Sequence, residues 1–487
     1  MKKQITKLND NAGNERFTDE RVDILLVWPP VENLFAVSAP SLGLAYLAAV
    51  LESDYTVKVF ECQNEGFYEP DAVVEHIRKI NPRVVGFTLP TLSVPYAEVI
   101  IKALKGQEDC PVLLAGGPHA SVLPDEMLEI GIDYVAIGEA EETIVELMAY
   151  IYGKPDAKQV SEIDGIAFIS DGQTIITNKR QLFDVNKLPF PAWHYFKLEN
   201  YGGYVQKIDR CLPVLSSRGC PENCTFCYKG ILGTSVRLRK PEHVVDEIQY
   251  LKDNFHIEEF TILDENFTLS KKHAIEVSKL LIEREINLPW SLGNGVRVDS
   301  ADEEVVAIMK KAGCYRIALG IESGNEEILK ELKKRITKDQ VRNAVSLYKK
   351  HGYEITSFFL IGAPSETYET AMDTVKFAIE LNFDIFTYNI IMPFPGTALF
   401  NYYNSENLLL TKDWRQYNHF YQERTPVFNH PNLTWEELKR IRSKAYRAYY
   451  FRFGYFFSEL KKIKSFSDLK LLFKKAFTFL GFVKSRL

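Results

Sequence analysis

Three cysteines within eight residues, Cys220, Cys224 and Cys227, lie in the run Ser-Ser-Arg-Gly-Cys-Pro-Glu-Asn-Cys-Thr-Phe-Cys-Tyr. Thiolates at this spacing can wrap one metal centre. Structural zinc and ordinary electron-transfer clusters normally take four protein ligands. A set of three on a 4Fe–4S cluster leaves one iron open to bind something else. No Cys-x2-Cys or His-x3-His pair lies nearby to complete a zinc site. A zinc knuckle or three packed thiols are the competing readings. Cys62, Cys110, Cys211 and Cys314 are scattered and read as core or surface thiols.

The Cys-x3-Cys-x2-Cys spacing resembles the signature of the radical S-adenosylmethionine (SAM) superfamily. In that family the open iron is chelated by the amino and carboxylate groups of SAM, and an electron from the cluster splits the sulfonium. Carried onto this chain, the resemblance makes Cys220, Cys224 and Cys227 the cluster ligands. Phe226 and Tyr228 bracket the last thiol, where they shield the cluster or meet the adenine. It implies that at least one of Asp264, Glu265 and Asn266 receives the SAM amino group. Arg297, in Gly-Val-Arg-Val-Asp, can hold the SAM carboxylate through paired hydrogen bonds, with a salt bridge inside the barrel as the alternative. In Gly320-Ile321-Glu322-Ser323-Gly324, Glu322 can accept from ribose hydroxyls or a cationic amine, with Ser323 beside it. The turn beginning at Gly362 resembles the one that supports adenine, while Pro393 to Thr397 reads as structural.

The elements that must position these residues repeat as strand then helix from Leu212 onward. Strands are expected at 212–215, 259–263, 290–293, 315–319, 356–360 and 386–390, with amphipathic helices such as 242–251 and 339–350 between them. Six such units predict a partial β/α barrel of the TIM type, whose chemistry sits at the carboxyl ends of its strands. The candidate residues fall at those ends.

An earlier series of short apolar strands, at 22–28, 55–60, 84–88, 112–117 and 134–138, alternates with helices and predicts a Rossmann-like, doubly wound parallel sheet. Its strand ends carry Thr88-Leu89-Pro90-Thr91, Gly116-Gly117-Pro118-His119 and Gly138-Glu139-Ala140-Glu141. Glycine there lets backbone approach a large ligand, and small hydroxyls can bond its periphery. Together with the downstream cysteines, these loops resemble the cobalamin-binding half of cobalamin-dependent radical SAM enzymes. Thr88, Thr91, Gly116, Gly117, His119, Gly138 and Glu139 are then the expected cobalamin contacts. The turn Trp28-Pro29-Pro30 lacks the Asp-x-His-x-x-Gly sequence of many cobalamin proteins. No strong histidine ligand is expected from it; His119 is the nearby candidate, with a loop hydrogen bond as its ordinary role.

The expected organisation is a disordered segment over 1–20, a cobalamin-binding domain over 21–150 and a linker with a hairpin over 151–208. The barrel spans 209–430 and a basic, aromatic helical region 431–487. By analogy, the cluster cleaves SAM to methionine and a 5′-deoxyadenosyl radical that abstracts hydrogen from the substrate. In the commonest version methylcobalamin then methylates the substrate radical. Methylation of an unactivated carbon is the leading expectation. Cyclisation, oxidation or a cobalamin or redox sensor are the alternatives. The family also implies an external electron donor such as flavodoxin or ferredoxin.

Composition sets the outer bounds. A chain of 487 residues suggests two or three domains. Seven cysteines without a disulfide framework fit a reducing, cytoplasmic compartment. No secretory signal opens the chain, and no apolar run reaches the ~20 residues of a membrane span. From Thr434 onward, 14 Lys and Arg face 4 Asp and Glu, although the whole chain carries −6. Leu469, Leu472, Phe473, Ala476 and Leu480 share one helical face in this tail. Residues 461–487 therefore predict peripheral contact with anionic lipid at the inner face of the membrane. A lipid contact would favour an apolar, lipid-like small-molecule substrate. Nucleic acid is a poor fit to the acidic body. For 434–457 the expectation is a helix packed over the barrel.

Overall fold

The computed structural model describes residues 21–31, 39–201, 210–417 and 425–455. Five apolar runs pair as parallel strands: β1 (Ile24–Trp28), β2 (Val57–Glu61), β3 (Val84–Thr88), β4 (Val112–Gly116) and β5 (Tyr134–Ala136). Ile24 of β1 stands opposite both Val57 of β2 and Val84 of β3. The strand order β2-β1-β3-β4-β5 reverses direction between β1 and β3. Such a switch point opens a crevice beyond the strand ends. Helix Leu42–Leu51 packs against this sheet through Leu44, Ala45, Ala48 and Leu51, all buried.

The hairpin expected inside the linker belongs to this sheet. β6 (Ile166–Ser170) pairs antiparallel with β5, Tyr134 opposite Phe168, and β7 (Gln173–Ile176) pairs with β6. Without it, β5 would present an unpaired edge. The outermost strand, β7, is exposed along its whole length. The remaining linker holds itself down with Trp193, which is fully buried, and with a hydrogen bond from the Ala192 amide to the Ala45 carbonyl at 3.1 Å.

The second sheet is all parallel. β8 (Cys211–Val214), β11 (Glu259–Ile262), β12 (Trp290–Val296), β13 (Cys314–Glu322), β14 (Glu354–Ile361) and β15 (Ile385–Ile390) follow one another in space, from β8 at one edge to β15 at the other. Two short strands, β9 (Ser217–Arg218) and β10 (Arg237–Leu238), flank the cysteine loop and pair antiparallel. Connecting helices start on local signals. Pro241 opens helix Pro241–Phe255, and a Thr337–Gln340 capping box starts helix Lys338–Lys350.

This barrel does not close, so the backbone of β15 needs partners. Helix Trp435–Tyr450 supplies them. The Tyr446 hydroxyl accepts from the Tyr388 amide at 3.1 Å, and the Tyr450 hydroxyl accepts from the Phe386 amide at 2.9 Å. The first half of the basic region thus packs on the barrel as expected. Residues 461–487 and the segment 1–20 lie outside the described residues. Among the described residues no helix is long and apolar enough to cross a membrane.

Candidate active site

The cysteine loop is fixed by its neighbours before any ligand is considered. Gly219 has φ +93°, and a Cβ there would lie 2.2 Å from the Ser235 carbonyl oxygen. Only glycine lets the returning 232–235 segment close over Cys220. The Cys220 amide donates to the Gly233 carbonyl at 3.3 Å and the Gly219 amide to Glu265 at 3.0 Å. Thr225 is pinned on both sides. Its amide donates to the Leu332 carbonyl at 3.1 Å, and its carbonyl accepts from the Leu399 amide at 2.9 Å.

Asp264 anchors the approach to this loop. Its carboxylate accepts from the Ser216 amide at 2.7 Å and from the hydroxyls of Ser216 and Ser217 at 2.5 and 2.7 Å. Burial raises its pKa against those hydrogen bonds. His273, buried behind it, lies 3.1 Å from the Ser216 hydroxyl, and desolvation lowers its pKa to about 4. Asp264 is therefore committed to the backbone of the loop. Glu265 is likewise engaged, through Gly219. Asn266 accepts from Thr268 at 3.2 Å, while its buried amide nitrogen has no partner. Of the three acidic-turn candidates, Asn266 is the one with an orphaned donor.

Arg297 is ion-paired at the end of β12. Its guanidinium forks onto Asp299 at 2.9 and 2.8 Å, reaches the Lys334 carbonyl at 2.9 Å and lies 3.3 Å from Glu222 within the cysteine loop. It braces the loop against the end of β12. Glu322 accepts from Lys334 at 2.9 Å, with both side chains buried. Its φ of +71° is unusual for a residue with a Cβ. Such strain persists where the surroundings over-determine it, commonly at ligand sites. Ser323 is fully buried, and its hydroxyl meets Thr374 at 3.1 Å and accepts from the Asn325 amide at 3.1 Å. It caps a turn. The Gly362 turn is held from inside by Glu366, whose carboxylate accepts from the Gly362 and Ala363 amides at 2.6 and 3.3 Å.

The first-domain candidates separate into two groups. Thr88, Gly116 and Gly117 line an apolar cavity of about 70 Å³ between the sheet and helices Leu42–Leu51 and Glu141–Ile151. Gly117, at φ +95°, sits 3.0 Å from the Leu89 amide measured from where a Cβ would be. Thr143, which the sequence reading passed over, also lines this cavity, with a buried hydroxyl that has no partner. Thr91 and His119 do not line it. The His119 ring lies 3.2 Å from the Thr91 hydroxyl, 3.6 Å from Glu126 and edge-on to Trp414. It sits in the short helix Pro118–Val122, with its Nε2 buried and without a hydrogen-bond partner.

Glu139 is held by two arginines and a backbone amide. Its carboxylate accepts from Arg218 at 2.8 Å, Arg237 at 2.7 Å and the Phe183 amide at 2.9 Å. Arg218 also reaches Glu141 at 2.6 Å. These ion pairs join the end of β5 to β9 and β10, so the mouth of the first sheet meets the cysteine loop directly. At the seam a Cβ on Gly138 would be 3.9 Å from the Gly230 carbonyl oxygen. Gly396 of the barrel lies close both to Tyr228 and to Val122 of the first domain, each 2.7 Å from where its Cβ would be. Phe226 is half-buried against the core. Arg218 was legible only as the residue two before Cys220; nothing local gives its partner.

Comparison with known proteins agrees with this two-part site. A model of the B12 binding domain matches residues 34–148, and one of the radical SAM superfamily matches 214–378. An uncharacterized methyltransferase, PH0819, of Pyrococcus horikoshii is 33% identical over 440 residues, covering 88% of this chain and 92% of that protein. The chain belongs to the cobalamin-binding radical SAM superfamily. The anaerobic magnesium-protoporphyrin IX monomethyl ester cyclase of Rubrivivax gelatinosus is 28% identical, over 74% of this chain and 66% of its own. The solved structure of the cobalamin-dependent SAM radical enzyme OxsB, with aqua-cobalamin and SAM bound, superposes with a TM-score of 0.72. It is 17% identical, over 96% of this chain and 72% of that one, and shares the fold.

A radical SAM enzyme of this kind works with a 4Fe–4S cluster, SAM and cobalamin. The residues present fit all three. The donors are three free thiols on one braced loop, Cys220 and Cys224 half-buried and Cys227 exposed. Burial raises the pKa of Cys224 and Cys227, while the cations of Lys334 and Lys229 act against it. Among the described residues no three Cys, His, Asp or Glu side chains converge as for a single ion. A cubane takes each thiolate on a separate iron and does not need them to meet. The cavity lining is of the kind an apolar portion of cobalamin would meet, with glycine at its rim and the Thr143 hydroxyl unspent. The orphaned Asn266 amide is a donor free for a carboxylate.

Proposed function

We propose that this radical SAM enzyme transfers a methyl group to an unactivated carbon of a small or lipid-like metabolite. When bound, the three cofactors supply one-electron cleavage of SAM and a transferable methyl group. The chain supplies position and exclusion of water. Cys220, Cys224 and Cys227 hold the cluster. Asn266 and the Glu322–Lys334 pair line the approach for SAM, and the Gly362 turn receives its flat base. Arg297 and Asp264 keep the loop in place from behind. Thr88, Gly116, Gly117 and Thr143 seat cobalamin.

The observation that carries this reading is the seam at Gly138 and Gly230. The strand ends of the first sheet meet the cysteine loop there, and a methyl carrier and a hydrogen-abstracting centre must share one substrate. Methyl transfer is preferred over cyclisation because the methyltransferase relative matches along nearly its whole length, the cyclase along two thirds. SAM with a deuterated methyl group tests it. The authentic substrate should gain the labelled methyl; its conversion without label would leave cyclisation or oxidation.

The tail extends the proposal. Phe451 and Phe453, just beyond helix Trp435–Tyr450, are 64% and 83% exposed. Contact with anionic lipid through 461–487 would bring an apolar substrate to the enzyme. Deletion of 461–487 should abolish sedimentation with phosphatidylserine vesicles; unchanged sedimentation rules the contact out. A flavodoxin or ferredoxin is the matching electron donor.

A further inference from the structure

One cation beside the cysteine loop has no work in the site described so far. Lys229 follows Cys227 by two residues, and its ammonium nitrogen is buried without a hydrogen-bond partner. Its backbone is fixed, since the Lys229 carbonyl accepts from the Gly233 amide at 3.0 Å and Gly233 in turn receives the Cys220 amide. The other cations near the thiols are neutralised. Arg297 is paired with Asp299 and Glu222, and Lys334 with Glu322. Among the described residues Lys229 has no carboxylate partner. An unpaired buried ammonium is costly, and a structure retains it where a negative charge will meet it.

We propose that Lys229 is a positioning residue for the three-cysteine centre, its ammonium donating to a cluster or cysteinyl sulfur and raising the cluster's reduction potential. Three thiolates leave a 4Fe–4S centre negatively charged, and reduction adds one more electron. A fixed positive charge stabilises the reduced form more than the oxidised one, and hydrogen bonds to sulfur act in the same direction. The electron that cleaves SAM then becomes easier to load from a biological donor. This inference rests on the reading that Cys220, Cys224 and Cys227 hold the cluster.

The test is a redox titration, followed by electron paramagnetic resonance, of the anaerobically reconstituted full chain as wild type, Lys229→Met and Lys229→Arg. Iron and sulfide are counted first. Lys229→Met should carry the wild-type cluster content with a reduction equilibrium shifted roughly tenfold toward oxidised, about 59 mV for one electron. Lys229→Arg should stay close to wild type. An unchanged midpoint in Lys229→Met overturns the proposal. Should that variant fail to load, protein labelled with 15N-lysine decides. Pulsed resonance of the reduced wild type should show a 15N coupling that Lys229→Arg lacks, and no such difference overturns it. Absence of any cluster from the wild type would defeat the three-cysteine reading itself.

Discussion

The Arg218 guanidinium lies 2.8 Å from Glu139 and 2.6 Å from Glu141, with all three side chains buried. A residue two positions before Cys220 is thereby bonded to the end of β5, beside the strand ends proposed to seat cobalamin. Position, rather than stability, is the reason to bury three charges there. Buried ion pairs seldom improve on well-packed apolar residues, yet losing one partner strands the others.

Arg218→Ala should therefore cost about 3–5 kcal/mol, because two carboxylates lose their shared cation inside the protein. Glu139→Gln keeps the Arg218–Glu141 pair and should cost less. Chemical denaturation of the three proteins checks the order.

The thiols divide by position. Cys220→Ala, Cys224→Ala and Cys227→Ala should each lose cluster iron on desalting after reconstitution. Cys314→Ala removes a fully buried thiol on β13 and should lower stability by about 1 kcal/mol with iron retained. Iron and sulfide per chain, beside a melting curve, separate the two effects.

Gly116→Val probes the cavity. The backbone there tolerates a side chain, since a Cβ would make only ordinary contacts at 3.8 Å. The valine would project into the lining of the cavity. Retention of hydroxocobalamin should weaken by roughly tenfold or more, about 1.4 kcal/mol. SAM cleavage to 5′-deoxyadenosine should persist. Loss of both together would contradict a separate cobalamin seat.

Glu366 gives a pH signature. Burial raises its pKa from 4.5 to about 7. The folded state thus binds its proton more tightly than the unfolded state. The resulting stabilisation is complete below pH 4.5 and is lost as pH rises through about 7. Glu366→Gln retains an acceptor for the Gly362 and Ala363 amides and removes the titration. The variant should gain about 1–3 kcal/mol relative to wild type between pH 5 and pH 8. Parallel urea titrations at the two values measure that difference.

Much of the architecture was legible because it is written locally. Short apolar runs such as Leu25–Val27 and Ile317–Leu319 read as buried strands because they are short and glycines or polar turns mark their ends. The cysteine loop fell after β8 for the same reason. What escaped was set by partners distant in sequence. The hairpin Ile166–Ile176 looked like linker because its pairing with β5 leaves no local trace. Glu139 and Ser323 stood at strand ends like ligands. The side chains they meet, Arg218 at 79 residues' distance and Thr374 at 51, leave no local trace. Thr143 and Lys229 carry no motif at all, and only burial without a partner marks them.

The most direct test is anaerobic reconstitution with iron, sulfide and hydroxocobalamin, then dithionite and SAM, with mass spectrometry of the products. The result expected is 5′-deoxyadenosine from protein that retains one equivalent of cobalamin. An intact cluster that leaves SAM uncleaved in the presence of candidate substrates, or cleavage by protein holding no cobalamin, would contradict the two-cofactor site.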